Sequence, residues 1–265
     1  MSLVETALGP LFIQQRGAGR PLVLLAGLGG RGAFWASVAA LLGEEGRLVI
    51  PDHPGCGASP PDGTAPSAAG LAARMVAALD ALGLERVDLI GHSLGGAIAQ
   101  EMALAAPERI GRLVLSATWA GPNPWFSRLF ALRQSILDQL GPEAYLRHGE
   151  TLGNPGWWQV ENDAALHVTL SSRLAAFPGV ALERARIAAV LAHDARGRLG
   201  AISAPTLVIC AQDDQITPLP FSREIHRAIP GAALALLPTG GHFAPACTPG
   251  PYAASVRAFL DGESP

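Results

Sequence analysis

The stretch LIGHSLGGAIAQ, Leu89 to Gln100, sets one serine between two glycines where an apolar run gives way to an amphipathic one. Gly91-His92-Ser93-Leu94-Gly95 fits the pattern G-x-S-x-G, which on a sharp strand-to-helix turn exposes a serine hydroxyl for nucleophilic attack. In a chain with 31 glycines the five-residue pattern alone carries little, and its setting carries more. RVDLI ahead of it is strand-like, and LGGAIAQEMALAAP behind it is helical. A serine hydroxyl needs a base to take its proton, and the base needs an acid to orient it. On such a turn the partners follow in chain order, acid and then histidine. Asp213 and Asp214 follow the strand-like run TLVIC, and His242 follows ALALLP within TGGHF. The expected chemistry is acyl transfer by Ser93, with His242 as base and one of the two aspartates as its acid.

Attack on a carbonyl creates negative charge that two backbone N–H groups must receive. One is expected from Leu94, directly after the serine, and the other from Leu28 in AGLGGRGAFW, where glycines let the backbone approach a substrate. His92 fills the variable position before the serine and is read as support for the turn, and His53 in PDHPGCGAS as a turn residue. The remaining histidines have no metal-like spacing, so no metal site is expected.

The elements that must position these groups alternate along the chain. LVETALG and LFIQQRG flank Gly9-Pro10 as a hairpin, PLVLLAG, RLVIPD and RLVLSA read as strands covered on both faces, and VDLIG, APTLVICA and ALALLP read as the further strands of the alternation. Helices are expected over 33–42, from a Ser67 cap to about Leu82, after Ser93, over 221–229 and over 252–260. From Trp119 to about Leu199 the strands stop and only broken helical patterning remains, concentrating aromatic residues. The expected architecture is α/β, a doubly wound, mostly parallel eight-stranded sheet, with a core over 1–118 and 200–265 and a helical lid over 119–199 inserted after the sixth strand.

Composition narrows the function classes. The chain has 265 residues, 49% hydrophobic and 15% charged, with a net charge of −3 and no basic block, which argues against nucleic acid as a partner. All 19 basic residues are arginine, which excludes Schiff-base and P-loop lysine chemistry. Three scattered cysteines suggest free thiols, the first residues lack a signal-peptide pattern, and no apolar run is long enough for a membrane span. A cytoplasmic enzyme with a small-molecule substrate and no membrane partner is the expectation. The sequence leaves oligomeric state open, a homodimer included.

GHSLGG, AGLGGRGAFW, DHPGCGAS, APTLVICAQDDQITP and GGHF together resemble the α/β-hydrolase superfamily over nearly the whole chain outside the lid. The motifs GLGGRGAFW, LVICAQDD, EIHRAIPG and GGH look most like the aminoacrylate (carbamate) hydrolases of pyrimidine catabolism, with the 3-oxoadipate enol-lactonases close behind. The resemblance implies a Ser93, Asp214, His242 triad, with Asp214 favoured over Asp213 by its spacing to Pro218, and hydrolysis of an ester, lactone, amide or carbamate without a cofactor. Three positions depart from the family pattern: Ala26 stands where histidine is usual, Ala211 where glycine is frequent, and His53 where arginine is frequent. Serine at 93, in place of aspartate, argues against the dehalogenases and epoxide hydrolases of the fold. Trp119, Trp125 and Phe126 are candidates to line a pocket under the lid, Phe34 and Phe243 to flank it, and Arg31 to hold a substrate carboxylate or else lie in solvent. The alternatives are a C–C bond hydrolase, a cofactor-free oxygenase or haloperoxidase-like enzyme, and a hydrolase-fold signalling receptor.

Overall fold

The computed structural model describes residues 1–42 and 46–263. The apolar runs form eight strands: β1 (Ser2–Val4), β2 (Leu11–Arg16), β3 (Pro21–Leu25), β4 (Arg47–Pro51), β5 (Val87–His92), β6 (Ile110–Ser116), β7 (Thr206–Ala211) and β8 (Ala233–Leu237). They make one sheet in the order β1-β2-β4-β3-β5-β6-β7-β8, antiparallel at β1-β2 and β2-β4 and parallel in every other pairing. The strand alternation explains why these runs are apolar throughout. Val23, Leu25, Leu89, Leu113 and Leu115 face one core, whereas Leu22, Leu24, Ile90, Val114 and Ile209 face the other.

On the first face lie α2 (Ala68–Ala81) and α3 (Leu94–Ala105), and on the second α1 (Ala36–Leu42) and α10 (Pro249–Leu260). Ser67 caps α2, its hydroxyl accepting from the N–H of Gly70 at 3.0 Å. The helix expected over 33–42 begins instead as a tight 3-10 turn, Gly32–Trp35, because the Asp52 carboxylate holds the Gly32 N–H at 2.6 Å. The last helix starts three residues early, at Pro249, since prolines in a first turn forfeit no helical hydrogen bond.

Between β6 and β7 the chain runs through α4 (Pro124–Gly153), α5 (Gly156–Glu161), α6 (Asp163–Ala175) and α7 (Val180–Ala192). Pro142 breaks α4 after Gly141, which takes φ 83°. Phe126, Phe130, Leu137, Leu146, Ile187 and Val190 from these helices join the same apolar core as α3 and the sheet. The chain ends through α8 (Leu219–Ala228), β8, α9 (Ala244–Cys247) and α10.

Strand β5 and helix α3 meet at closest range around Gly91 and Gly95. A Cβ on Gly91 would overlap the Gly95 carbonyl, and one on Gly95 would overlap the carbonyl of Leu25 in β3. Gly95→Ala is therefore expected to destabilise the fold by at least about 2 kcal/mol in urea denaturation. Gly250→Ala, where a Cβ meets open space, is expected to change it by less than about 0.5 kcal/mol.

Candidate functional site

Ser93 sits between β5 and α3 with φ 54° and ψ −118°, one of two non-glycine residues with positive φ among those described. Its N–H donates to Ser116 at 2.9 Å, and its carbonyl accepts from Gly96 and Ala97 N–H groups and from the Thr118 hydroxyl at 2.8 Å. The backbone is held from both sides while the hydroxyl stays out of the helix cap, making no capping hydrogen bond. A serine at an ordinary helix start would spend its oxygen on the next turn. Gly27, at the start of the loop after β3, packs directly against this turn, where an added Cβ would lie 3.1 Å from that of Ser93. Among the described residues neither the Leu28 N–H nor the Leu94 N–H is used in a hydrogen bond.

Asp214 and His242 lie at the carboxyl ends of β7 and β8, on the same rim as Ser93. Asp214 is buried, and both its oxygens are engaged. Oδ1 accepts from the N–H groups of Ile216 and Thr217 at 2.8 and 2.9 Å, and Oδ2 accepts from the Thr217 hydroxyl at 2.8 Å and lies 2.9 Å from His242 Nδ1. Asp213 does different work: it accepts from the Thr239 hydroxyl at 2.6 Å and the Gly241 N–H at 2.9 Å, tying down the histidine loop. Gly241 takes φ 60°, and a Cβ there would strike the Gly153 carbonyl at the end of α4. That same carbonyl accepts from the Phe243 N–H at 3.1 Å.

An aromatic stack backs the histidine. Phe34 lies on His92 with ring centroids 4.6 Å apart, and His92 stands 4.9 Å from His242. His92 is fully enclosed, 3.2 Å from the Ser116 hydroxyl through Nδ1. Burial, and then the neighbouring His242, hold its pKa well below the ordinary 6.5. His53 is likewise held well below that value, first by burial and then by the positive charge of Arg186.

The expected pocket residues divide. Phe34 and Phe243 are half-buried on this rim, 6.1 Å apart between ring centroids. Trp119 and Phe126 are fully buried against each other, and Phe126 packs on Phe130 and Phe221 as well, in the seam between the inserted helices and the sheet. Trp125 is 44% exposed, because adjacent helical positions are turned about 100° apart and Phe126 takes the inward face. Arg31 is half-buried, with no hydrogen bond or ion pair from its guanidinium among the described residues. Sequence reasoning missed Thr217, which binds Asp214 and lies 3.2 Å from His242 Nδ1, although a hydroxyl three residues after the acid was visible in DDQIT. It also missed Arg186 of α7, whose Nε donates to the Leu28 carbonyl at 2.7 Å. No group of three or more His, Cys, Asp or Glu among the described residues could hold a metal ion, and no helix among them is long and apolar enough to cross a membrane.

Two buried neutral imidazoles set a pH dependence. The unfolded chain takes up protons near pH 6.5 while folded His53 and His92 stay neutral to lower pH, so stability is full above that value and falls as pH drops below it. Urea denaturation between about pH 7 and pH 5 is expected to show this loss, with a limiting slope of about 1.4 kcal/mol per pH unit for each imidazole. His92→Gln is expected to make the slope shallower, whatever its effect on stability at neutral pH.

Residues 20–150 match the family model described as the alpha/beta hydrolase fold. A relative from Azorhizobium caulinodans, named "Putative carbamate hydrolase RutD", is 38% identical over 239 residues, covering 90% of each chain. A solved structure of a hydrolase from Pseudomonas aeruginosa PA01 is 28% identical, with a TM-score of 0.87 over 98% of this chain and 97% of that one. The enol-lactonase from Burkholderia xenovorans LB400, 22% identical, shares the fold with a TM-score of 0.86 over 98% of this chain and all of its own. The strand order, the serine turn and these likenesses converge: the chain belongs to the α/β hydrolase fold family and is a hydrolase.

Proposed function

We propose that the enzyme hydrolyses a small carbamate, or a related ester, lactone or amide, through a covalent acyl intermediate on Ser93. The contact of Asp214 Oδ2 with His242 Nδ1 at 2.9 Å carries this reading, because it keeps the proton on Nδ1 and leaves Nε2 as a base. Ser93 Oγ bonds to the substrate carbonyl carbon as its proton passes to Nε2. The oxygen of the tetrahedral intermediate takes up the negative charge, received by the Leu28 and Leu94 N–H groups. Collapse expels the leaving group, which takes the proton from Nε2. Water then attacks the acyl-serine with His242 as base, releasing the acid and restoring the Ser93 hydroxyl. No step uses a metal or an organic cofactor.

The carbamate preference comes from the name of the 38% identical relative. Residues 119–199 act as the lid in this reading, with Phe34 and Phe243 against the substrate. Arg31, half-buried with an unpaired guanidinium among the described residues, holds an anionic group on it.

Turnover of short p-nitrophenyl esters and of aryl carbamates tests the proposal together with fluorophosphonate labelling. Ser93→Ala is expected to lose at least about 10³-fold in kcat and all labelling. Asp214→Asn is expected to lose about 10³- to 10⁴-fold, and Asp213→Asn only about tenfold, since the latter loosens a loop without changing the tautomer. Turnover or labelling that persists in Ser93→Ala would sink the reading.

A further inference from the structure

Arg186 is a buried cation whose hydrogen bonds go to no carboxylate. Its side chain is enclosed, with the residue 1% exposed, yet Nε donates to the Leu28 carbonyl at 2.7 Å and Nη2 lies 3.1 Å from His53 Nδ1. Glu183, one turn earlier on α7, accepts instead from the Tyr145 hydroxyl at 2.7 Å. Burying a guanidinium without a bonded acid is costly, so its position calls for an account.

We infer that Arg186 is a positioning residue for hydrolysis, reaching from α7 to hold the Leu28–Gly29 peptide by its carbonyl and so, across the Leu28 Cα, to restrict the neighbouring Gly27–Leu28 peptide whose N–H is aimed at the developing oxyanion. The inference rests on the acyl-transfer reading above. The loop after β3 closes through the Gly30 N–H on the Gly27 carbonyl at 2.9 Å, and its far side is tied by the His53 N–H to the Gly30 carbonyl at 2.7 Å. Gly29, at the tip, is exposed with open space where a Cβ would stand, so packing does not set its conformation. Among the described residues, the Leu28 carbonyl has Arg186 as its one side-chain donor. Nε–H and Nη2–H share one edge of the planar guanidinium, and that edge spans the Leu28 carbonyl and the His53 imidazole, fixing both against α7. Gly30 is what lets the cation in: a Cβ there would lie 2.7 Å from Arg186 Nη2. A lysine ammonium has no planar edge and cannot hold both acceptors in one geometry.

The test compares wild type, Arg186→Lys, Arg186→Met and Arg184→Ala in p-nitrophenyl acetate turnover, thermal melting and inhibition by a phenylboronic acid, whose tetrahedral adduct places an oxygen at the oxyanion position. Arg186→Lys is expected to fold, to lose about 10- to 100-fold in kcat with KM changed by less than about threefold, and to bind the boronic acid more weakly by a similar factor. Arg184→Ala, on the same helix as Arg186, which breaks an exposed ion pair to Asp138 of α4, is expected to keep wild-type kinetics. Should Arg186→Met fail to fold, the lysine variant alone decides. A lysine variant within about twofold of wild type in kcat, or one that loses kcat but binds the boronic acid unchanged, overturns the inference. Failure of the underlying reading is seen separately, as wild-type enzyme without Ser93-dependent turnover or fluorophosphonate labelling.

Discussion

Four hydrogen bonds to the backbone of Ser93 hold it where a non-glycine residue costs on the order of 1–3 kcal/mol: one from its N–H to Ser116, and three onto its carbonyl from Gly96, Ala97 and Thr118. Much else is arranged to keep those bonds. Strand β5 and helix α3 approach too closely for any side chain at Gly91 or Gly95, and a Cβ on Gly96 would strike Thr118, so the three glycines and Thr118 are parts of one device. The close approach leaves α3 buried from Leu94 through Ala103, which in turn demands an apolar cover on that side. The inserted helices and α2 supply it.

Around that turn the charged groups are divided by solvation. Asp214 is saturated by four donors, which fixes its carboxylate and with it the ring of His242. Asp213, its neighbour in sequence, secures the loop that brings the histidine in. His92, stacked on Phe34, stands 4.9 Å from His242 and is kept neutral by burial, so it adds aromatic surface and no charge beside the triad imidazole. Two adjacent aspartates thus end in unlike positions because the chain turns between them: one side chain goes inward to the imidazole and the other across to the glycine loop.

Most of the sheet was legible because strands buried on both faces are written as continuous apolar runs, as RLVIP and TLVICA are, whereas ALALL reads the same way although it forms the partly exposed edge strand β8. The serine turn was legible because it needs glycines at fixed offsets. Contacts between distant segments were not. Asp52, 20 residues from Gly32, tightens the start of the helix expected at 33, and nothing in GAFW foretells it. Arg186 and Arg184 stand two apart in ERARIA, and partners far back in the chain, the Leu28 carbonyl and the His53 imidazole, distinguish the buried one. Trp125 and Phe126 looked equivalent because a helix starting at a proline, with weak amphipathic patterning, leaves its rotational phase unset.

The core shared between the inserted helices and the sheet limits how a substrate can reach Ser93. Phe126, Phe130, Leu137, Leu146, Ile187 and Val190 are buried in it, and exposing even half of such side chains in one step would cost on the order of 5–10 kcal/mol. That is comparable to the whole stability of an ordinary domain. The end of α4 is also bonded to the histidine loop, and α7 to the loop after β3. A hinged swing of the helices away from the sheet would therefore break the arrangement it serves. In the proposed reading, substrate entry is expected to leave these bonds in place and to proceed by smaller movements, such as rotamer changes of the half-buried Phe34 and Phe243.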